Sequence, residues 1–147
     1  MPPTRPTLFT TPLIGWREDV GLPELGIGSL VAKVDTGART AALHAENIMV
    51  KGKHVGFTVE LGGRRQRMDA PLSGAKRVKS SNGQSEIRAM IETTIEIGHH
   101  VFKAEVTLTD RTDMGVPMLL GRNSIKGRFI VHPGRSFVIS RTKRKPK

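Results

Sequence analysis

Alternating apolar residues constrain the fold of this chain more than any other feature of its sequence. The stretch Val55–Leu61 has an apolar residue at every second position, and the stretch Ile87–Ile97 repeats the same period. Successive side chains of a β-strand point to opposite faces of its sheet, so this period predicts strands with one buried face. Gly62-Gly63 ends the first run, and Asn82-Gly83, the preferred centre of a tight hairpin turn, precedes the second. The pattern predicts an all-β domain, closed or sandwich-like.

The composition agrees with that prediction. The chain has 147 residues, enough for one domain with a genuine core but too few for two full-sized domains. Its 16 glycines and 9 prolines favour short strands and many turns. Because cysteine is absent, disulfides, thiolate zinc sites and cysteine nucleophiles are excluded.

Three segments are expected along the chain. Residues 1–13 are rich in proline and lack periodicity, which predicts an extended arm, and residues 14–140 are predicted to form the folded domain. The sequence RTKRKPK at residues 141–147 is expected to be a basic disordered tail. We find neither an apolar run of ~20 residues nor a secretory signal, so we expect a cytoplasmic protein that does not enter a membrane.

The strand prediction covers most of the domain but leaves one long gap. Residues 64–86 are polar and basic, and we interpret them as a connection that carries the Asn-Gly turn. A loop is expected over 110–117, with at most one helical turn after residue 120. Strands are predicted at residues 30–34, 41–45, 47–50, 55–61, 87–97, 101–109, 118–120, 129–131 and 137–139.

The chain is strongly basic. It has 24 Lys and Arg residues against 13 Asp and Glu residues, a net charge of +11. Such an excess predicts a polyanionic partner, either an acidic peptide or a nucleic acid.

The segment Leu30–Val34 is an apolar strand that runs directly into Asp35-Thr36-Gly37. A strand can carry an aspartate to the floor of a cleft, and a glycine there lets other backbone approach closely. If a second carboxylate shares its proton, one can activate a water while the other protonates the scissile carbonyl. Asp and Gly are also ordinary turn residues, so the tripeptide alone does not distinguish a turn from a catalytic site.

The order of the motifs resembles that of the retropepsins, the single-lobe aspartic proteases. The strand that ends in Asp-Thr-Gly-Ala corresponds to residues 34–38, the glycine-tipped flap hairpin to residues 78–87, and the apolar-Gly-Arg-Asn signature to residues 118–123. This resemblance implies a closed β barrel with a flap, which forms a homodimer. It also implies that Asp35, Thr36 and Gly37 form the catalytic turn.

A narrower resemblance covers nearly the whole chain from Gly15 onward. The segments GWRE, LPELGI, AKVDTGARTAALHA, SSNGQSEIR and LLGRN are similar to a small bacterial family labelled ATP-dependent zinc protease or RimK-associated (RimB-like) protease. One member type of that family is linked to the removal of glutamates added to a ribosomal protein. The resemblance therefore implies an aspartic peptidase that hydrolyses an acidic, glutamate-rich protein tail. The sequence contains no H-E-x-x-H motif and no cysteine, so it gives no support for the zinc in that label. We therefore expect no metal and no cofactor.

Arg39 departs from the retropepsin pattern, because viral enzymes have an acidic residue at the corresponding position. Together with Arg122 it would place two like charges near the cleft, which favours an anion such as a glutamate carboxylate between them. Lys33 is a candidate for facing the cleft beside Asp35, and the flap is expected to cover the substrate. The predicted substrate-binding residues are Lys33, Ala38, Arg39, Lys79, Ser80, Ser81, Asn82, Gly83 and Arg122.

One Asp-Thr-Gly motif supplies only one carboxylate. A two-fold dimer that brings two copies of Asp35 together would complete the pair. Alternatively, Asp69, Asp110 or Asp113 of the same chain would be the second carboxylate. Two non-enzymatic functions also stay open: a basic β barrel that binds RNA or the ribosome, and an inactive retropepsin-like regulator. The 4% aromatic content and the absence of tyrosine argue against a base-stacking surface.

Overall fold

The computed structural model of the chain describes residues 10–79 and 83–140. In these residues the regular secondary structure is almost entirely β-strand, which confirms the all-β prediction. A short helix, α1, spans Arg122–Ile125, and single 3-10 turns lie at Pro23–Leu25 and Thr112–Met114. The strands are β1 Leu13–Gly15, β2 Arg17–Leu22, β3 Ile27–Val34, β4 Ala41–His44, β5 Glu46–Lys51, β6 His54–Leu61, β7 Arg64–Pro71, β8 Gly74–Lys79, β9 Ser85–Ile97, β10 His100–Thr109, β11 Met118–Leu120 and β12 Ile130–His132.

The strands form three sheets. A seven-stranded sheet has the order β10-β4-β11-β3-β2-β9-β8, and β9 also pairs with β10. A three-stranded sheet has the order β5-β6-β7, and β1 pairs with β12 in a short parallel sheet. Strand β1 begins at Leu13, inside the segment expected to be the N-terminal arm, while residues 1–9 and the predicted basic tail lie outside the described residues.

The hydrophobic core follows the two-residue period of the sequence. In β6 the side chains of Val55, Phe57 and Val59 are buried, whereas the residues between them reach the surface. In β9 the residues Ile91, Ile95 and Ile97 are buried in the same way. Removing these branched and aromatic side chains from water is the main favourable contribution to folding.

Two parts of the strand prediction are wrong, and strands β1 and β2 were not predicted at all. The basic stretch 64–86, interpreted as a connection, contains the two strands β7 and β8, and β8 pairs with β9 from Gly74↔Met90 to Lys79↔Ser85. The apolar segment 137–139, predicted to be a strand, lies in a series of bends instead.

The buried side chain of Glu18 explains the course of this last segment. Its carboxylate is fully buried and accepts hydrogen bonds from the backbone N–H groups of Gly15, Val138, Ile139 and Ser140, at 2.6, 2.8, 3.2 and 3.0 Å. The hydroxyl of Ser140 donates a fifth hydrogen bond at 2.6 Å. The carboxylate takes the place of a neighbouring strand, because it satisfies the backbone donors that a strand would otherwise pair.

The predicted flap corresponds to the hairpin formed by β8 and β9. Its tip residues Ser80, Ser81 and Asn82 lie outside the described residues. Gly83, which follows them, is exposed and has a φ of +86°, the left-handed conformation that the Asn-Gly turn requires.

Candidate active site

Asp35 lies directly after β3, where β3 runs parallel to β11. The two strands pair from Ala32↔Met118 to Val34↔Leu120, and the N–H of Asp35 donates to the Leu120 carbonyl oxygen at 2.9 Å. On its other side, β11 pairs with β4. The aspartate is therefore anchored at the end of a strand that lies between two neighbours, and its side chain is half-buried.

The turn after Asp35 is held by hydrogen bonds from its own backbone and from α1. The N–H of Gly37 donates to Asp35 Oδ1 at 3.0 Å, and the N–H of Ala38 donates to the Asp35 carbonyl oxygen at 3.1 Å. The guanidinium of Arg122 donates to the Thr36 carbonyl oxygen at 2.8 Å. These bonds fix the orientation of the carboxylate without using its second oxygen.

Gly121 allows α1 to approach this turn closely. A Cβ atom on Gly121 would lie 2.4 Å from the Thr40 carbonyl oxygen and 2.8 Å from the carbonyl carbon of Arg39. Nearby, the N–H of Arg122 donates to the Ala38 carbonyl oxygen and the N–H of Asn123 to the Arg39 carbonyl oxygen, each at 2.9 Å. The Gly-Arg-Asn motif and the segment after Asp35 thus form one packed unit.

Gly121→Ala is expected to destabilise the fold by about 2–3 kcal/mol, because the added methyl group overlaps backbone atoms that cannot rotate away. Urea unfolding followed by circular dichroism measures this loss. Gly28→Ala is the control, since a Cβ there meets no atom within 4 Å, and it should change stability by less than about 0.5 kcal/mol. Equal stability of the two variants would contradict the close packing.

A cleft of about 330 Å³ opens beside Asp35. Among the described residues that line it, Asp35 is the sole acid, whereas six are cationic. The cations come from the segment after Asp35, the two flap strands and the loop after β10, so chain segments far apart in sequence create one positive field. The lining residues are Asp35, Gly37, Ala38, Arg39, Thr40, Ala42, Lys76, Arg77, Val78, Lys79, Arg88, Thr107, Arg111 and Leu119.

The structure brings five of the predicted site residues to this cleft: Asp35, Gly37, Ala38, Arg39 and Lys79. Thr36 belongs to the turn itself and Arg122 lies against it. Neither residue lines the cleft. Gly83 is described but does not line the cleft.

The expectation that Lys33 faces the cleft is not met. Its ammonium lies 6.0 Å from the centroid of the Trp16 ring, outside the cleft lining. Lys33 is exposed in β3, on the face opposite to that of its buried neighbour Ala32.

Sequence reasoning missed several residues of the cleft. Lys76 and Arg77 were placed only within a generally basic stretch, because β8 was not recognised as a strand. Arg88 and Arg111 were not singled out at all, since each is separated from Asp35 by more than fifty residues in the sequence. Recognising β8 as the partner of β9 would have placed Lys76 and Arg88 opposite each other, as their strand register shows.

The structure separates the candidate second carboxylates of the same chain from the cleft lining. Asp69 lines a different cleft, with Met49 and Met68, and Asp113 pairs with Arg111 at 3.3 Å. Asp110 is exposed and is absent from the lining. In the part of the chain that the structure describes, no three His, Asp or Glu residues are grouped so that they could hold a metal ion.

Comparison with known proteins gives a family match over most of the chain. The model of a family described as "RimB-like: Retropepsin-like aspartic endopeptidase RimB" matches residues 13–142. A crystal structure of the Legionella pneumophila protein Lpg0085, described as of unknown function, aligns with a TM-score of 0.73 and 30% identity, over 87% of this chain and 98% of that one.

Curated relatives carry a different name. Proteins called "Probable alpha-L-glutamate ligase" are 36% identical over 135 residues in Shewanella halifaxensis and 35% identical over 129 residues in Desulfotalea psychrophila. These matches cover 86% and 82% of this chain but only 30% and 28% of the relatives, so the chain spans less than a third of their length. Across residues 10–79 and 83–140, no helix has the length and apolar character needed to cross a membrane.

Proposed function

This chain belongs to the RimB-like family of retropepsin-like aspartic endopeptidases, and we propose that it is an aspartic peptidase whose catalytic carboxylate is Asp35. The observation that carries the proposal is the position of Asp35. Its half-buried carboxylate accepts from the Gly37 N–H, lies at the end of the central strand β3, and is the one acid among the described residues that line the cleft. A single carboxylate cannot serve as both base and acid, so we propose a homodimer of closed barrels in which two copies of Asp35 face each other.

The proposed reaction uses the two carboxylates in turn. Asp35 of one subunit accepts a proton from a water molecule as the water oxygen attacks the scissile carbonyl carbon. The protonated Asp35 of the other subunit donates its proton to the carbonyl oxygen, which gives a tetrahedral diol. The first carboxyl then gives its proton to the amide nitrogen as the C–N bond breaks, while the second carboxylate takes a proton from a hydroxyl of the diol. The product is a neutral carboxylic acid, and both copies of Asp35 return to their starting protonation states.

We propose that the substrate is an acidic, glutamate-rich protein tail, for which a modified ribosomal protein is the candidate. The cationic cleft supports this substrate class, because guanidinium and ammonium groups bind carboxylates. The name of the curated relatives supports it as well, since a ligase that adds glutamate and a peptidase that removes it act on the same linkage in opposite directions.

A subunit-mixing experiment tests the shared carboxylate pair. Wild-type protein is equilibrated with a ninefold excess of Asp35→Asn subunits, and the rate of cleavage of an oligoglutamate peptide is measured. If each active site needs one Asp35 from each subunit, random pairing leaves about a tenth of the wild-type activity.

The same mixture with Asp69→Asn subunits is the control, because Asp69 lines a different cleft. Full retention of the wild-type rate in the Asp35→Asn mixture, with subunit exchange verified by mass labelling, would contradict the shared pair. It would favour a carboxylate pair within one chain instead.

A further inference from the structure

The cleft beside Asp35 contains a second polar feature, centred on Lys76 of the flap strand β8. The Lys76 ammonium donates to Thr40 Oγ1 at 3.4 Å, and Thr40 is buried while Lys76 is half-buried. A hydroxyl that accepts from an ammonium keeps its own proton free to donate. The pair therefore presents two kinds of donor to the cleft from a partly buried position.

The charges around Lys76 are mostly of the same sign. Burial is the main cause that holds the pKa of Lys76 below its ordinary value, and the charge of Arg39 is the second. The charge of Glu105 opposes this shift, whereas the charge of Arg122 adds to it. Lys76 forms no ion pair with any residue that the structure describes. Lys76 and Arg39 line the same cleft, and an anion bound there would stabilise the half-buried ammonium.

Arg39 and Arg122 have different roles in this arrangement. Arg122 donates a hydrogen bond to the Thr36 carbonyl oxygen and lies outside the cleft lining. Arg39 lines the cleft and is exposed, and its guanidinium has no hydrogen-bond partner among residues 10–79 and 83–140. Of the two arginines, Arg39 is thus the one available to a ligand.

We propose that Lys76, Arg39 and the Thr40 hydroxyl form a subsite for the side-chain carboxylate of a glutamate residue next to the bond that is cut, and that Arg122 is a positioning residue for the catalytic turn. This inference rests on the proposed peptidase function. A carboxylate has two oxygens and four lone-pair positions, so it can accept from the guanidinium, the ammonium and the hydroxyl together.

The first test compares matched peptides and matched variants. Lys76→Met keeps the length of the side chain and removes its charge. We expect it to raise the KM for a glutamate peptide at least about tenfold, with kcat changed less than about threefold, and to abolish the preference for glutamate over the same peptide with glutamine. Lys126→Met removes an equal charge from an exposed position outside the cleft and should change KM less than about twofold.

The second test measures binding without turnover, in the Asp35→Asn protein. Glutarate is titrated while the ζ-nitrogen resonance of Lys76 is followed by NMR, with inorganic phosphate as a parallel probe. We expect glutarate to shift this resonance. For Lys76→Met, which lacks the resonance, we expect calorimetry to show at least about tenfold weaker glutarate binding than in the Asp35→Asn parent. Equal or tighter binding of phosphate would overturn the carboxylate assignment and favour a phosphate ligand.

The two tests separate the subsite from the peptidase function. If the wild type prefers glutamate and Lys76→Met keeps that preference, the subsite is wrong while the peptidase stands. If no peptide is cleaved but glutarate binds at Lys76, the peptidase is wrong and the carboxylate site stands. If glutarate leaves the Lys76 resonance unchanged, the subsite is overturned in either case.

Discussion

Asp35→Asn is expected to lower kcat for peptide cleavage by about 10³–10⁴-fold, because an amide cannot exchange the proton that general acid–base catalysis requires. The fold should persist, since an amide oxygen can still accept the hydrogen bond that Asp35 Oδ1 receives from the Gly37 N–H. Peptide cleavage assays and thermal unfolding of the same preparation measure both quantities.

Three matched variants serve as controls. Asp69→Asn, Asp110→Asn and Asp113→Asn make the same chemical change outside the cleft and should keep the wild-type kcat within about threefold. Turnover that survives Asp35→Asn would overturn the proposed mechanism. If neither the wild type nor Asp35→Asn cleaves a peptide and both bind RNA with equal affinity, the result would favour the basic RNA-binding domain.

The largest effect on stability is expected for Glu18→Gln. The amide replaces one carboxylate oxygen by an NH₂ group, which cannot accept from a backbone N–H. At least one of the five hydrogen bonds is therefore lost, and its donor is left unsatisfied in a fully buried place. We expect a loss of about 3 kcal/mol at neutral pH, because hydrogen bonds to charged groups are strong and unsatisfied buried donors are costly.

The pH dependence of unfolding distinguishes this role from simple packing. Burial alone would raise the pKa of Glu18, but hydrogen bonds from the Ser140 side chain and from the backbone of Gly15, Ser140 and Ile139 outweigh it, so the pKa lies below its ordinary value of 4.5. The folded pKa is thus lower than the unfolded one. The stabilisation is fully present above the unfolded value and is lost as the pH falls through the folded value.

The difference in unfolding free energy between wild type and Glu18→Gln should therefore shrink as the pH is lowered from 7 into the acid range. Glu92→Gln, an exposed glutamate of β9, should change stability by less than about 0.5 kcal/mol at every pH. A difference between wild type and Glu18→Gln that stays constant down to pH 3 would contradict the role of the ionised carboxylate.

The sequence predicted those strands whose buried and exposed faces differ in polarity. Val55, Phe57 and Val59 of β6 alternate with more polar residues, and the structure buries them. Strands β7 and β8 have cationic residues spread over much of their length, so their composition resembles a loop. The segment 137–139 is apolar like a buried strand, but it does not pair as one. Two of its backbone N–H groups donate to the carboxylate of Glu18, and no local sequence pattern reveals a partner so distant along the chain.

The candidate site was predictable to the extent that it is local in sequence. The turn 35–37 and the motif 121–123 could be recognised as units, and the structure packs them together. Lys76, Arg88 and Arg111 could not be placed, because strand pairing over long sequence separations brings them to the cleft. Lys33 lies beside Trp16 and outside the cleft lining, so nearness to Asp35 along the chain was not enough to place it in the site.

The first and last described segments of the domain run side by side. Besides the β1–β12 pairing and the Glu18 contacts, the N–H of Trp16 donates to the Arg135 carbonyl oxygen at 2.9 Å, and the N–H of Phe137 donates to the Arg17 carbonyl oxygen at 2.7 Å. A domain whose first and last segments lie close together can be inserted into another protein without disruption of its own fold. Such an arrangement suits a domain that also occurs as part of a longer chain, and the stretch that matches this domain makes up 30% of the Shewanella halifaxensis relative.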